Sequence, residues 1–152
     1  MPRHHIRASA RSDAAPEAVF ALLADPSAWS AWGMWDSSTV ESADPAGGDG
    51  VGSVRRLTSR SLGRRIVSRE EVVELVPGRR YGYALLSGLP LEGYRGLVEL
   101  APDGAGTAIT WSSSFDARVP GTGWFYALVL RKVLADAASA VARAAATSSA
   151  DA

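Results

Sequence analysis

The charged residues between Arg64 and Leu75 are the part of this chain best placed to do chemistry. Read as a strand, the segment alternates faces, and two assignments are open. With Val67, Val73 and Leu75 inward, Arg69 and Glu71 share their face. A guanidinium and a carboxylate in an apolar interior need each other or a polar ligand. With the opposite face inward, Ser68, Glu70, Val72 and Glu74 are enclosed instead. A carboxyl removed from water has a raised pKa and can serve as an acid or base. Against both stands plain solvation, because Asp and Glu are seldom fully buried. No catalytic residue is assigned; Arg69 and Glu71 are the candidates, with Tyr83, Tyr94 and Ser113 as further offers. Six arginines (Arg55, Arg56, Arg60, Arg64, Arg65 and Arg69) crowd the same region. They suit an anionic ligand, a coenzyme-A-like group or a partner, or else an exposed edge hairpin kept soluble by charge.

Other chemistries lack their residues. The chain has no cysteine, which removes thiol nucleophiles, disulfides and Cys-based metal sites. Its two histidines, His4 and His5, are adjacent and would point to opposite faces of a strand, so no metal site is expected. Gly50-Val51-Gly52-Ser53-Val54-Arg55 lacks the third glycine of a dinucleotide fingerprint and leads into a strand. Ser112, Ser113 and Ser114 have neither a nearby histidine nor a nucleophile elbow. No cofactor is expected. With 16 basic and 16 acidic residues the formal net charge is zero, which argues against nucleic acid as a partner.

The elements that must position these groups follow from periodicity and punctuation. Residues 3–10 read as a first strand. Pro16 and Glu17 open a short helix through Val19, Phe20, Leu22 and Leu23. Asp25 as cap and Pro26 as first residue begin a second, through Trp29 and Trp32. A second strand is expected from Trp35 to about Ser42, followed by a loop over Ala43–Gly50. Strands over Val51–Thr58 and Arg64–Leu75 form a hairpin joined near Ser61-Leu62-Gly63. Arg79–Leu86, Tyr94–Leu100 and a run from Gly106 to Val119 complete the strands. A helix of about 25 residues, near 37 Å long, closes the chain from about Thr122 to Ala146. Its first half, Trp124 to Leu134, is bulky, and its second half is nearly all alanine.

At 152 residues, 47% apolar and 21% charged, the chain is long enough for one domain with a real core. Residues 1–147 are taken as that domain and 148–152 as a polar tail. The N-terminus lacks the apolar stretch of a signal peptide, and Trp124–Leu130 is too short to cross a bilayer. A soluble, cytoplasmic protein without integral membrane association is expected, as a monomer or homodimer. The excess of Arg over Lys, with abundant Ala and Gly, fits a bacterial genome of high GC content.

The order strand, two short helices, six strands, long helix resembles the START-like, helix-grip (SRPBCC) superfamily of polyketide cyclases/dehydrases and lipid-transfer proteins. Local phrases are similar too: the stretch from Asp13 to Pro26 with Trp29 and Trp32 after it, Glu71 to Tyr81, and Gly106-Thr107-Ala108-Ile109-Thr110-Trp111. The resemblance implies an α+β helix-grip fold, β-α-α-β6-α, in which a curved antiparallel sheet wraps a long C-terminal helix. It also implies a hydrophobic cavity between sheet and helix. The residues expected to line it are Trp32, Trp35, Tyr83, Leu85, Tyr94, Trp111, Ser113, Phe115, Trp124, Phe125 and Leu128, as apolar walls with polar handles. The competing reading of each aromatic is ordinary core packing.

Three functions stay open. The first is binding of a hydrophobic small molecule: a lipid, a polyketide or an aromatic metabolite. The second is a cyclase, aromatase or dehydrase acting in the same cavity. The third is an interaction module of the stress-related or co-chaperone kind, acting through the arginine hairpin.

Overall fold

The computed structural model describes residues 3–25, 28–33, 35–42, 50–61 and 63–150. The elements are β1 (His4–Ser12), α1 (Pro16–Ala24), α2 (Trp29–Trp32), β2 (Ser37–Ser42), β3 (Val54–Ser61), β4 (Arg64–Val76), β5 (Arg80–Ser87), β6 (Leu91–Asp103), β7 (Gly106–Ala117) and α3 (Gly123–Ala150). The strands form one antiparallel sheet in the order β1-β7-β6-β5-β4-β3-β2, and the sheet does not close. This is the helix-grip architecture. The expected loop over 43–50 lies outside the described residues except for Gly50.

Local chemistry accounts for the helix ends. Pro16 occupies the first turn of α1, where a missing N–H costs nothing, and Glu17 faces the helix dipole. Ala15 makes no side-chain cap, so α1 depends on burying Val19 and Leu23. Asp25, expected to cap the second helix, ends the first, its N–H donating to Ala21 O. Four-residue α2 starts after Ala28. At the chain's end α3 runs to Ala150, so the expected tail begins inside the helix.

The last helix does not lie symmetrically over the sheet. It packs chiefly on β1, with further contacts to β7 and α1. Its alanine-rich half carries the buried residues Ala137, Ala138, Val141, Ala142 and Ala145, small enough to let the backbones approach closely. Ser12 Oγ donates to Ala142 O at 2.7 Å and Thr107 Oγ1 to Ala14 O at 2.7 Å, joining β1 to α3 and β7 to the turn before α1. Contacts of α1 reach β5, β6 and β7, so the middle of the concave face lies under the short helices.

The face of β4 is settled by pairing. Arg55 stands opposite Glu70 and Tyr83 opposite Val72, so Glu70 and Val72 share the concave face with Tyr83. A bulge between Val72 and Glu74 then brings Leu75, rather than Glu74, opposite Tyr81. Glu74 turns to the convex side and pairs with Arg80 at 2.9 Å.

Candidate ligand-binding interior

Alternation along four strands assembles the site. The strand β7 buries Ile109, Trp111, Ser113 and Phe115; β6 buries Tyr94, Val98 and Leu100; β5 buries Tyr81 and Tyr83. Rings touch in an unbroken series from Trp35 to His4. Trp35 meets Trp29 at 4.8 Å between centroids, Trp29 meets Tyr81 at 5.8 Å, and Tyr81 meets Tyr83 at 5.9 Å. Tyr83 meets Tyr94 at 6.2 Å, Tyr94 stacks on Phe115 at 5.9 Å, and Phe115 stacks on His4 at 5.5 Å. Trp111 sits against Trp29 and Trp32 at 6.1 and 6.4 Å. Its indole Nε1 donates to Tyr83 OH at 3.0 Å. A glycine makes this possible: a Cβ on Gly96 would overlap the Tyr83 ring.

Two charged residues adjoin this apolar surround, Arg55 wholly inside it and Glu70 partly buried. Arg55 is fully buried. Its two terminal nitrogens donate to Leu23 O at 2.9 Å and Ala24 O at 2.7 Å, the carbonyls at the negative end of α1. The guanidinium also lies 5.0 Å from the Tyr81 centroid and 5.8 Å from that of Trp29, a cation–π sandwich. Its Nε is buried and makes no hydrogen bond within normal distance, and the Tyr81 hydroxyl, likewise buried, lies beside the guanidinium.

Glu70, the cross-strand neighbour of Arg55, has its Oε1 buried and unpartnered. Burial pushes its carboxyl up to about 7, against a smaller downward pull from Arg55. Burial likewise raises Tyr81 and Tyr83 above their ordinary values and brings Tyr94 to about 12, so all three phenols keep their protons at neutral pH. The indole Nε1 of Trp32 is a further buried donor with no acceptor.

The expected site residues divide into two groups. Trp32, Trp35, Tyr83, Leu85, Tyr94, Trp111, Ser113 and Phe115 are buried in the core or packed against it. Trp124, Phe125 and Leu128 are not: they are 64%, 51% and 57% exposed, and the bulky start of α3 projects outward. Arg69 lies away from the interior, its Nε 2.9 Å from Glu41 Oε1, and Glu71 shares that convex face, opposite Val54. Of the arginine cluster, Arg56, Arg60, Arg64 and Arg65 are exposed. The edge strands of the sheet are β1 and β2, and the β3–β4 hairpin lies inside it.

Among the described residues, hollows lie outside this interior. One of about 520 Å³ covers the convex face near Arg7, Gly82, Leu97 and Ser112. One of about 550 Å³ lies at the start of α3, between His4 and Trp124. Another, of about 580 Å³, runs between α2 and the second half of α3, bordered by Trp32, Ala140 and Ala144. Trp32 thus borders a groove on one side and the buried rings on the other. Among the described residues no helix is long and apolar enough to cross a membrane.

Comparison with known proteins agrees with this architecture. A START superfamily protein from Mycobacterium smegmatis superposes with a TM-score of 0.81 at 15% identity, covering 95% of this chain and 98% of that one. The Zhui aromatase/cyclase from Streptomyces sp. R1128 gives 0.72 at 19% identity, covering 95% and 94%. Norcoclaurine synthase from Thalictrum flavum, solved with dopamine and hydroxybenzaldehyde, gives 0.72 at 15%, covering 93% and 86%. At such identities the likeness is one of fold. No curated protein sequence gives a match. The family described as polyketide cyclase / dehydrase and lipid transport matches residues 3–149. With that match over nearly its whole length, the chain belongs to the polyketide cyclase/dehydrase and lipid-transport family.

Proposed function

We propose that this protein binds a hydrophobic small molecule bearing polar groups, such as a polyketide or aromatic metabolite, on the concave face between sheet and helices. The observation that carries the proposal is the set of buried polar atoms without partners among aromatic rings, above all Glu70 Oε1 and Trp32 Nε1. Each such atom costs about 1–3 kcal/mol, a loss that a ligand's hydroxyl or carbonyl recovers. The rings supply the apolar contribution, ~25 cal/mol per Å² of ligand surface buried. Since the rings are in contact, a ligand must part them. Trp32, which also borders the α2–α3 groove, is the ring with space to swing.

The test is native mass spectrometry of stripped protein exposed to a metabolite extract. One bound molecule per chain is expected. Recovery of none, with an interior that stays filled in a crystal structure, overturns the proposal.

A catalytic variant of this reading, a cyclase- or dehydrase-type reaction in the same interior, draws on one observation. A carboxyl near 7 beside three protonated phenols exchanges protons readily at neutral pH. It requires that Glu70→Gln abolish turnover of a bound substrate while leaving its affinity within a few fold.

A further inference from the structure

Arg55 and Glu70 are directly opposed on β3 and β4, on the concave face. Each keeps one polar atom buried and unpartnered: a donor, Arg55 Nε, and an acceptor, Glu70 Oε1. The other guanidinium nitrogens are fixed on Leu23 O and Ala24 O, and the two flanking rings hold the group in place. Arg55 is therefore not free to swing into an ion pair with an incoming anion.

We infer that Arg55 Nε and Glu70 Oε1 form a donor–acceptor pair that holds a hydroxyl group of a neutral ligand. The inference rests on the binding reading above and adds the ligand's chemical class to it. A hydroxyl is both donor and acceptor, so one O–H satisfies both atoms: its proton goes to Glu70 and a lone pair takes the Arg55 N–H. An ammonium has no lone pair, leaves Nε unmet and faces the guanidinium charge. A carboxylate has no proton for Oε1 and stands beside a second carboxyl in a poorly screened interior. The ionisable groups facing Glu70 from neighbouring strands are Arg55 on β3, Tyr81 and Tyr83 on β5, and Tyr94 on β6. Among these the only cation is Arg55 itself. Protonating Glu70 leaves the site neutral toward an alcohol but removes its repulsion of carboxylates.

Four probes on one skeleton test this: 4-phenylbutanol, butylbenzene, 4-phenylbutylamine and 4-phenylbutyrate, titrated calorimetrically into the full chain at pH 8. The alcohol is expected to bind about tenfold or more tighter than each of the others. Glu70→Leu, which leaves the hydroxyl only the Arg55 N–H, should cut its advantage over butylbenzene several fold. Glu70→Gln, which keeps an acceptor oxygen, should retain that advantage while removing the change in butyrate affinity between pH 6 and pH 8, a range in which the ligand itself stays ionised. Equal binding of butyrate and alcohol at pH 8, or an alcohol preference undiminished by Glu70→Leu, overturns the inference while leaving the binding reading intact. Binding of no probe, butylbenzene included, overturns both.

Discussion

The ring of Tyr83 lies over Gly96 on the neighbouring strand, in the space any larger residue's Cβ would need. That contact fixes where the Tyr83 hydroxyl meets Trp111 Nε1, and with it the middle of the aromatic series. Gly96→Ala should displace the phenol, break the bond to Trp111 and lower stability by about 1–3 kcal/mol. Urea unfolding of the two proteins measures the difference. An unchanged midpoint would mean that the ring has another place to go.

The aromatic residues differ sharply in what they contribute. Trp29 is buried, donates to Leu23 O at 2.9 Å and touches four other rings. Trp29→Ala should cost about 3–5 kcal/mol. Trp124 is 64% exposed, and Trp124→Ala should fall within about 0.5 kcal/mol of the parent. Thermal unfolding of both variants decides the matter, and similar losses would place Trp124 in the core.

Glu70 gives stability a pH dependence of definite sign. Its carboxyl titrates near 7 when folded, above its ordinary value of 4.5. Between those values the folded chain binds more protons than the unfolded one. The favourable contribution is therefore complete below about pH 4.5 and is lost as pH rises through 7, with a limit of about 3 kcal/mol. Glu70→Gln should flatten this slope between pH 5 and 8, as read by chemical denaturation at each pH. A slope identical in the two proteins would assign it to other groups.

Arg55 holds that carboxyl down, so losing its charge should raise it further. In Arg55→Met the Glu70 titration, followed by the carboxyl carbon resonance, should move to higher pH. The variant should also unfold more easily by about 3–5 kcal/mol, because Glu70 loses its compensating charge and the α1 carbonyls lose their donors. A Glu70 resonance that does not move would show the two side chains to be electrostatically independent.

Element order and most strand positions were legible because period-two alternation and Gly/Pro turns survive in a single sequence. The strand β6 begins earlier than Tyr94 because the register shifts between Glu92 and Arg95, and such a shift hides the alternation on its far side. The inward face of β4 was undecidable for the same reason: beyond Val72 a bulge exchanges Glu74 for Leu75, so neither simple alternation describes the whole strand. The first half of α3 reads Trp124-Phe125-Tyr126-Ala127-Leu128-Val129-Leu130, apolar on every side, so its sequence cannot say which residues face out. Arg55 stood among six arginines with nothing in its own type to mark it. Only the fold, by aiming the end of α1 at it, separates it from its exposed neighbours.

The indole N–H resonances offer the most direct check on binding in the interior, since the chain has five tryptophans. Two-dimensional ¹⁵N spectra recorded as 4-phenylbutanol is added report each site separately. A large shift is expected for Trp32, whose buried Nε1 lacks an acceptor, a smaller one for Trp111, and none for exposed Trp124. A shift confined to Trp124, with Trp32 and Trp111 unmoved at saturation, would contradict binding in the interior by placing the ligand on the outer surface of α3.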